Sequence, residues 1–100
     1  MDPIAPEPDF LFIPERHTVR IGDREILLTP TQFRLLEVLA SEPGRVFSRA
    51  EMVERAFAAS VAERTVDVHI KDMRRKLEAH DWHVQTVRGR GYCFLDRRDR

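Results

Sequence analysis

The stretch ERTVDVHIKDMRRKLE, Glu63 to Glu78, decides the fold once it is joined to QTVRGRGYCF, Gln85 to Phe94. Wound as an α-helix at about 100° per residue, the first stretch puts Val66, Ile70, Met73 and Leu77 on one narrow apolar stripe. The opposite face carries Arg64, Val68, Lys71, Asp72 and Arg75, with Asp67 and Arg74 on one flank and His69 and Lys76 on the other. Asp67 and Lys71, one turn apart, form an ordinary helix-stabilising pair. The second stretch predicts two strands, Val84 to Val87 and Tyr92 to Leu95, around Gly89 and Gly91. Glycine makes such a turn tight; the alternating Arg88 and Arg90 do not shape it, so their charge serves something outside it.

Upstream of this pair, three hydroxyl-led starts predict three helices. Thr29-Pro30-Thr31-Gln32, Ser48-Arg49-Ala50-Glu51 and Ser60-Val61-Ala62-Glu63 each read as a capping box, in which the hydroxyl accepts from an orphan backbone N–H and the Gln or Glu reaches back. The first helix carries Phe33, Leu36, Leu39 and Ala40 and stops at Pro43-Gly44. The second carries Met52, Val53, Ala56 and Phe57. The third runs to about His80. Arg45-Val46-Phe47 can add one strand between the first two helices. Earlier still, Phe10 to Ile13, Thr18 to Ile21 and Glu25 to Leu28 are short strands. Gly22-Asp23 turns the last two, and Val19, Ile21, Ile26 and Leu28 fall at period two.

The totals fit one domain with a modest core: 100 residues, 42% of them apolar. Residues 1–9, with Pro3, Pro6 and Pro8, read as a linker or frayed end, residues 10–95 as the domain, and 96–100 as a tail. No run approaches the ~18 apolar residues of a membrane span. The acidic, proline-rich start is no signal peptide. Cys93 stands alone, which excludes an internal disulfide and fits a reducing, cytoplasmic compartment. Net charge is zero but polarised: residues 1–60 hold 7 Lys/Arg against 10 Asp/Glu, and residues 61–100 hold 10 against 7. A basic face on a neutral domain is still an electrostatic footprint.

Helix, helix, then a hairpin with arginines at its turn is the pattern of a winged helix-turn-helix, an α+β fold. A major groove admits one α-helix, and a thymine methyl gives an exposed Val68 a partner that water does not. A hairpin beside that helix reaches the neighbouring minor groove, whose negative potential attracts arginine. The alternative from another class is a winged-helix protein-interaction module, with Val68 inside an apolar docking patch.

The runs ERTVDVHIKDMRRKLE and VQTVRGRGYCF, with LTPTQFRLLEVLASEPGRVFSRAEMVERAF before them, closely resemble the effector domain of OmpR/PhoB-type response regulators of two-component systems. The resemblance covers about residues 10–95. It implies a four-stranded N-terminal antiparallel sheet, a three-helix bundle and a C-terminal wing. It implies transcription regulation by binding double-stranded promoter DNA at direct repeats as a head-to-tail dimer. It also implies contact with RNA polymerase through the loop between the last two helices, and a receiver domain and sensor kinase upstream. The proline-rich start suits an effector domain taken from such a longer protein. Carried over by position, Arg64, Thr65, Val68, Lys71, Asp72 and Arg75 enter the major groove. Arg74 and His69 meet phosphates, as does Arg49 at the start of the second helix. Arg88 is directed at the minor groove, flanked by Thr86 and Arg90. Asp72 stands where the family often has Arg or Asn; it can accept from a cytosine amino group, or hold Arg75 or Lys76 in place. Phe57 stands where Trp is common.

Other residues carry less. His80-x-x-His83 near Asp81 matches no established zinc spacing, so no metal or cofactor is expected. Cys93 has no legible base or oxyanion site around it, and no enzyme activity is expected. Trp82 is expected to cover the core. The alternating Arg97, Arg98 and Arg100 belong to the tail.

Overall fold

A computed structural model of the chain describes residues 10–97. The expected linker at 1–9 and the last three residues of the expected tail lie outside those described. Three strands open the fold: β1 (Phe10–Ile13), β2 (Thr18–Ile21) and β3 (Arg24–Leu27). They form one antiparallel sheet in the order β1-β2-β3. Its register places Phe12, Val19 and Ile26 in one row across the strands, facing the core. Among the described residues this sheet has three strands, where the family resemblance implied four.

Three helices follow: α1 (Pro30–Ala40), α2 (Arg49–Ala56) and α3 (Glu63–Leu77). Leu35, Leu36 and Leu39 of α1 are completely buried, as are Met52 of α2 and Val66, Ile70, Met73 and Leu77 of α3. Each such side chain contributes ~1.5–3 kcal/mol of hydrophobic stabilisation, so the bundle holds chiefly by this shared seam.

The helix starts differ from one another. At α1 the capping box is complete: Thr29 Oγ1 accepts from Gln32 N and Gln32 Oε1 accepts from Thr29 N, both at 3.1 Å. At α2, Ser48 Oγ accepts from Glu51 N at 3.1 Å, while the Glu51 carboxylate binds Arg45 at 2.7 Å and Arg55 at 3.3 Å. At α3 the expected box at Ser60 does not form. Residues 60–62 lie outside the helix, which starts at Glu63 with Ala62 as its cap and no side-chain cap bond. The helix also ends early. Glu78 leaves it with φ +54°, and a 3-10 segment, Glu78–His83, replaces the last expected turn.

Two strands close the chain, β4 (Val84–Val87) and β5 (Gly91–Phe94), paired antiparallel as the wing. The expected strand at 45–47 shrinks to a single bridge between Phe47 and Tyr92. Phe47 N donates to Tyr92 O at 2.8 Å and Tyr92 N to Phe47 O at 3.0 Å, so this segment runs beside β5. Trp82 stacks on His83 with ring centroids 3.9 Å apart, and buried His83 stacks in turn on Phe94 at 5.2 Å. Trp82 thus covers the core through a histidine. Cys93 is buried, and burial pushes its thiol pKa up.

Candidate nucleic-acid interface

The α3 stripe that packs inward leaves the opposite face open. Arg64, Lys71 and Arg75 are exposed there, and Val68 stands 67% exposed among them. Leaving a valine in water gains nothing, so the outer face has an apolar contact to offer. Among the described residues Arg64, Lys71, Arg88 and Arg90 form no ion pair within the chain. Their charges are compensated only by solvent or by a partner.

Several of the expected contact residues are engaged internally instead. Arg49 Nε donates to Asp67 Oδ1 at 2.7 Å, and the Tyr92 hydroxyl donates to the same oxygen at 2.5 Å. Desolvation raises the Asp67 pKa, but the Tyr92 hydroxyl and the Arg49 guanidinium outweigh it and hold the carboxyl below its usual range. Burial, followed by the hydrogen bond to Asp67 and its charge, pushes the Tyr92 phenol up. Asp67 was expected to pair with Lys71; it pairs across elements instead, because Arg49 at the start of α2 comes within reach. On the other side of the wing base, Arg74 Nε donates to Val84 O at 3.0 Å and Arg74 Nη2 to Thr86 Oγ1 at 2.6 Å. The Arg49 and Arg74 guanidinium carbons lie 5.6 and 5.5 Å from the centre of the Tyr92 ring. Each contact of this kind contributes ~0.5–1 kcal/mol when partly exposed. Together these bonds tie α2, α3 and the wing to one another. His69 is half-buried at its edge, its ring edge-on to Phe57 at 5.5 Å.

Asp72 is likewise committed. Its Oδ2 accepts from Gln32 Nε2 at 2.7 Å, and its Oδ1 accepts from the Arg75 guanidinium. The Gln32 bond, then Arg75, hold the Asp72 pKa down at about 2. Both oxygens of Asp72 are thus engaged within the chain, one of them by Arg75, the contact that the second of the two sequence readings describes. Gln32 and Tyr92 are supporting residues that the sequence reading did not place at this surface, and Asp67, read on its flank as a partner of Lys71, is a third. Gln32 was visible only as half of a capping box.

At the wing tip, Arg88, Gly89 and Arg90 form an exposed turn closed by Arg90 N donating to Val87 O at 2.8 Å. Gly89 has φ +75° and open space around it. Gly91 serves another purpose. A Cβ there would stand 1.9 Å from Phe47 O, so its hydrogen is what lets β5 lie against the Phe47 segment. Among the described residues no group of His, Cys, Asp and Glu is arranged to hold a metal ion, and no helix is long and apolar enough to cross a membrane.

Residues 23–94 match the family model described as transcriptional regulatory protein, C terminal. Over 88 residues, 84% of this chain, the sequence is 43% identical to the phosphate regulon transcriptional regulatory protein PhoB of Klebsiella pneumoniae, and it spans 38% of that protein's length. Among solved structures, the DNA-binding domain of the response regulator AdeR, in complex with an intercistronic region, superposes with a TM-score of 0.77 at 29% identity, covering 88% of this chain and 95% of that one. The DNA-binding domain of CpxR from Escherichia coli gives 0.74 at 28% identity, covering 95% and 98%.

Proposed function

This chain belongs to the transcriptional regulatory protein C-terminal family, of the OmpR/PhoB type, whose members are DNA-binding effector domains rather than enzymes, and on that premise we propose how it grips promoter DNA. The outer face of α3 lies in the major groove, and the wing tip reaches the adjacent minor groove. The observation that carries this reading is that four exposed cations of this surface, Arg64 and Lys71 on α3 and Arg88 and Arg90 on the wing, have no ion pair inside the chain among the described residues. Arg64, Thr65, Val68, Lys71 and Arg75 face the groove floor and walls, with Val68 against a thymine methyl. Arg49 and Arg74 spend part of their donor set on Asp67, Val84 and Thr86. A guanidinium has five N–H donors, so both keep some for phosphate while being held in position. His69, resting on Phe57, and the Thr86 hydroxyl lie at the margin of this surface.

The protein-interaction alternative needs Val68 inside an apolar patch. Its neighbours one turn away on the helix face are Arg64 and Lys71, both exposed, so the valine is isolated among charges. That spacing suits a base edge between phosphates better than a hydrophobic docking site. The wider assembly follows from the family reading: direct-repeat sites occupied head to tail, a cytoplasmic location, RNA polymerase met through the loop 57–62, and a receiver domain controlled by a sensor kinase.

Selection from a random duplex pool, followed by gel-shift titration, tests the proposal. Enrichment of a defined sequence supports it; absence of binding even at low salt would leave only the protein-interaction module. Arg88→Ala is expected to weaken binding by ~1–3 kcal/mol, most strongly at A·T-rich flanks. Equal loss on every flank would make Arg88 a phosphate clamp.

A further inference from the structure

The start of α1 and the outer half of α3 are joined by one side chain from each. Gln32 is buried, and both ends of its amide are used. Its Oε1 accepts from Thr29 N at 3.1 Å and from Lys76 Nζ at 2.9 Å, while its Nε2 donates to Asp72 Oδ2 at 2.7 Å. Rotation of this amide would break all three bonds. Asp72, pinned on one oxygen, presents the other to Arg75. Arg75 is the most exposed member of the set, with 75% of its side chain open to solvent. Its Nη2 is engaged by Asp72, which leaves the Nη1 side of the guanidinium open.

We propose that Gln32 and Asp72 act as a positioning pair that aims Arg75 at a guanine edge, so that a buried residue of α1 helps set the base preference of α3. The inference rests on the groove-facing orientation argued above. A free arginine on a helix surface samples many rotamers, and each must be frozen out on binding. An arginine already braced by a carboxylate loses less, and its remaining donors can meet guanine O6 and N7. The amide is essential because it both donates and accepts. A carboxylate at position 32 would cap Thr29 equally well, but it would face Asp72 with like charge. An asparagine at position 72 fails in a complementary way, since Gln32 and Arg75 donate to different oxygens of Asp72 and one of those places becomes an NH2 group facing a donor. Gln32→Glu combined with Asp72→Asn restores the set. The new amide at position 72 donates to the new carboxylate at position 32, and its oxygen accepts from Arg75.

The experiment selects bound sequences from a random duplex pool with the full chain and its variants, each checked for folding by thermal melting. Wild type is expected to prefer guanine at one position, and Arg75→Ala to lose that preference. Asp72→Asn and Gln32→Glu should each cut discrimination at the same position by about tenfold, within the range of one bidentate contact. Arg75→Ala combined with Asp72→Asn should lose nothing more there, and the Gln32→Glu, Asp72→Asn double variant should recover the preference. Three outcomes overturn the pairing: an unchanged guanine preference in folded Asp72→Asn, a change at some other position, or a folded double variant that does not recover. A wild type that selects no sequence at all would instead overturn the groove reading, and this inference with it.

Discussion

Gly89 and Gly91 stand two residues apart in one turn, and sequence alone gives both the same task. Their surroundings separate them. Gly89 needs its freedom only for backbone conformation, with φ +75° and empty space where a Cβ would go. Gly91, at φ +144°, lies against the Phe47 backbone, where a Cβ would come within 1.9 Å of the carbonyl oxygen. Backbone atoms cannot swing away as a side-chain tip can. Gly89→Ala is therefore expected to cost ~1–2 kcal/mol, the usual penalty of a left-handed alanine. Gly91→Ala should cost at least ~3 kcal/mol, because the Phe47 bridge must open as well. Urea denaturation of both variants checks this through the shift of midpoint. Equal shifts would mean that the close approach of β5 to Phe47 contributes nothing to stability.

The helices show which features a sequence exposes and which it hides. The inward stripe of α3 is carried by residues spaced along one element, so periodicity alone locates Val66, Ile70, Met73 and Leu77, all of them buried. The start of α3 is different. Ser60 and Glu63 satisfy the capping pattern, yet the helix begins only at Glu63, with Ala62 as its cap. Ser48→Ala should therefore cost ~1 kcal/mol of stability and Ser60→Ala close to nothing, which thermal melting of the two variants will distinguish. The ties that fix the candidate surface were illegible for a further reason. Arg49 and Asp67 are 18 positions apart, Asp67 and Tyr92 are 25, and Gln32 and Asp72 are 40. Only the packing of α1, α2 and the wing around α3 brings them together, and no local rule reports it. The Gln32–Asp72 tie between α1 and α3 also has a pH signature. The folded Asp72 carboxyl titrates at about 2, below its ordinary 3.8, so its contribution is present above the unfolded value and is lost as pH falls through the folded one. The gap in melting temperature between wild type and Asp72→Asn should hold from neutral pH to about 5 and close toward pH 2. A gap that persists at pH 2 would show that the tie does not depend on the ionised carboxylate.

At the scale of the whole molecule, a chain of zero net charge must still attract a polyanion. It does so by sorting its charges. Acidic side chains such as Glu42, Glu51 and Glu78 are taken up in ion pairs with Arg45, Arg55 and Arg24, away from α3's outer face and the wing tip. On the candidate surface the acidic groups Asp67 and Asp72 brace arginines, while Arg64, Lys71, Arg88 and Arg90 have no ion pair among the described residues. With Arg49 and Arg74, which keep donors for phosphate, about five cations of this surface meet phosphates and displace counterions from duplex DNA. Each displaced counterion contributes about −0.9 to the slope of log K against log salt, so the slope should be roughly −4 to −5. Between about 50 and 200 mM salt that amounts to an affinity loss of about 500-fold. Fluorescence anisotropy on a fixed duplex across that range measures it directly. Lys71→Ala should reduce the slope by about 1 if its ammonium meets a phosphate. A slope near zero would mean that the sorted charges serve no polyanion, and the apolar Val68 contact would then have to account for the surface by itself.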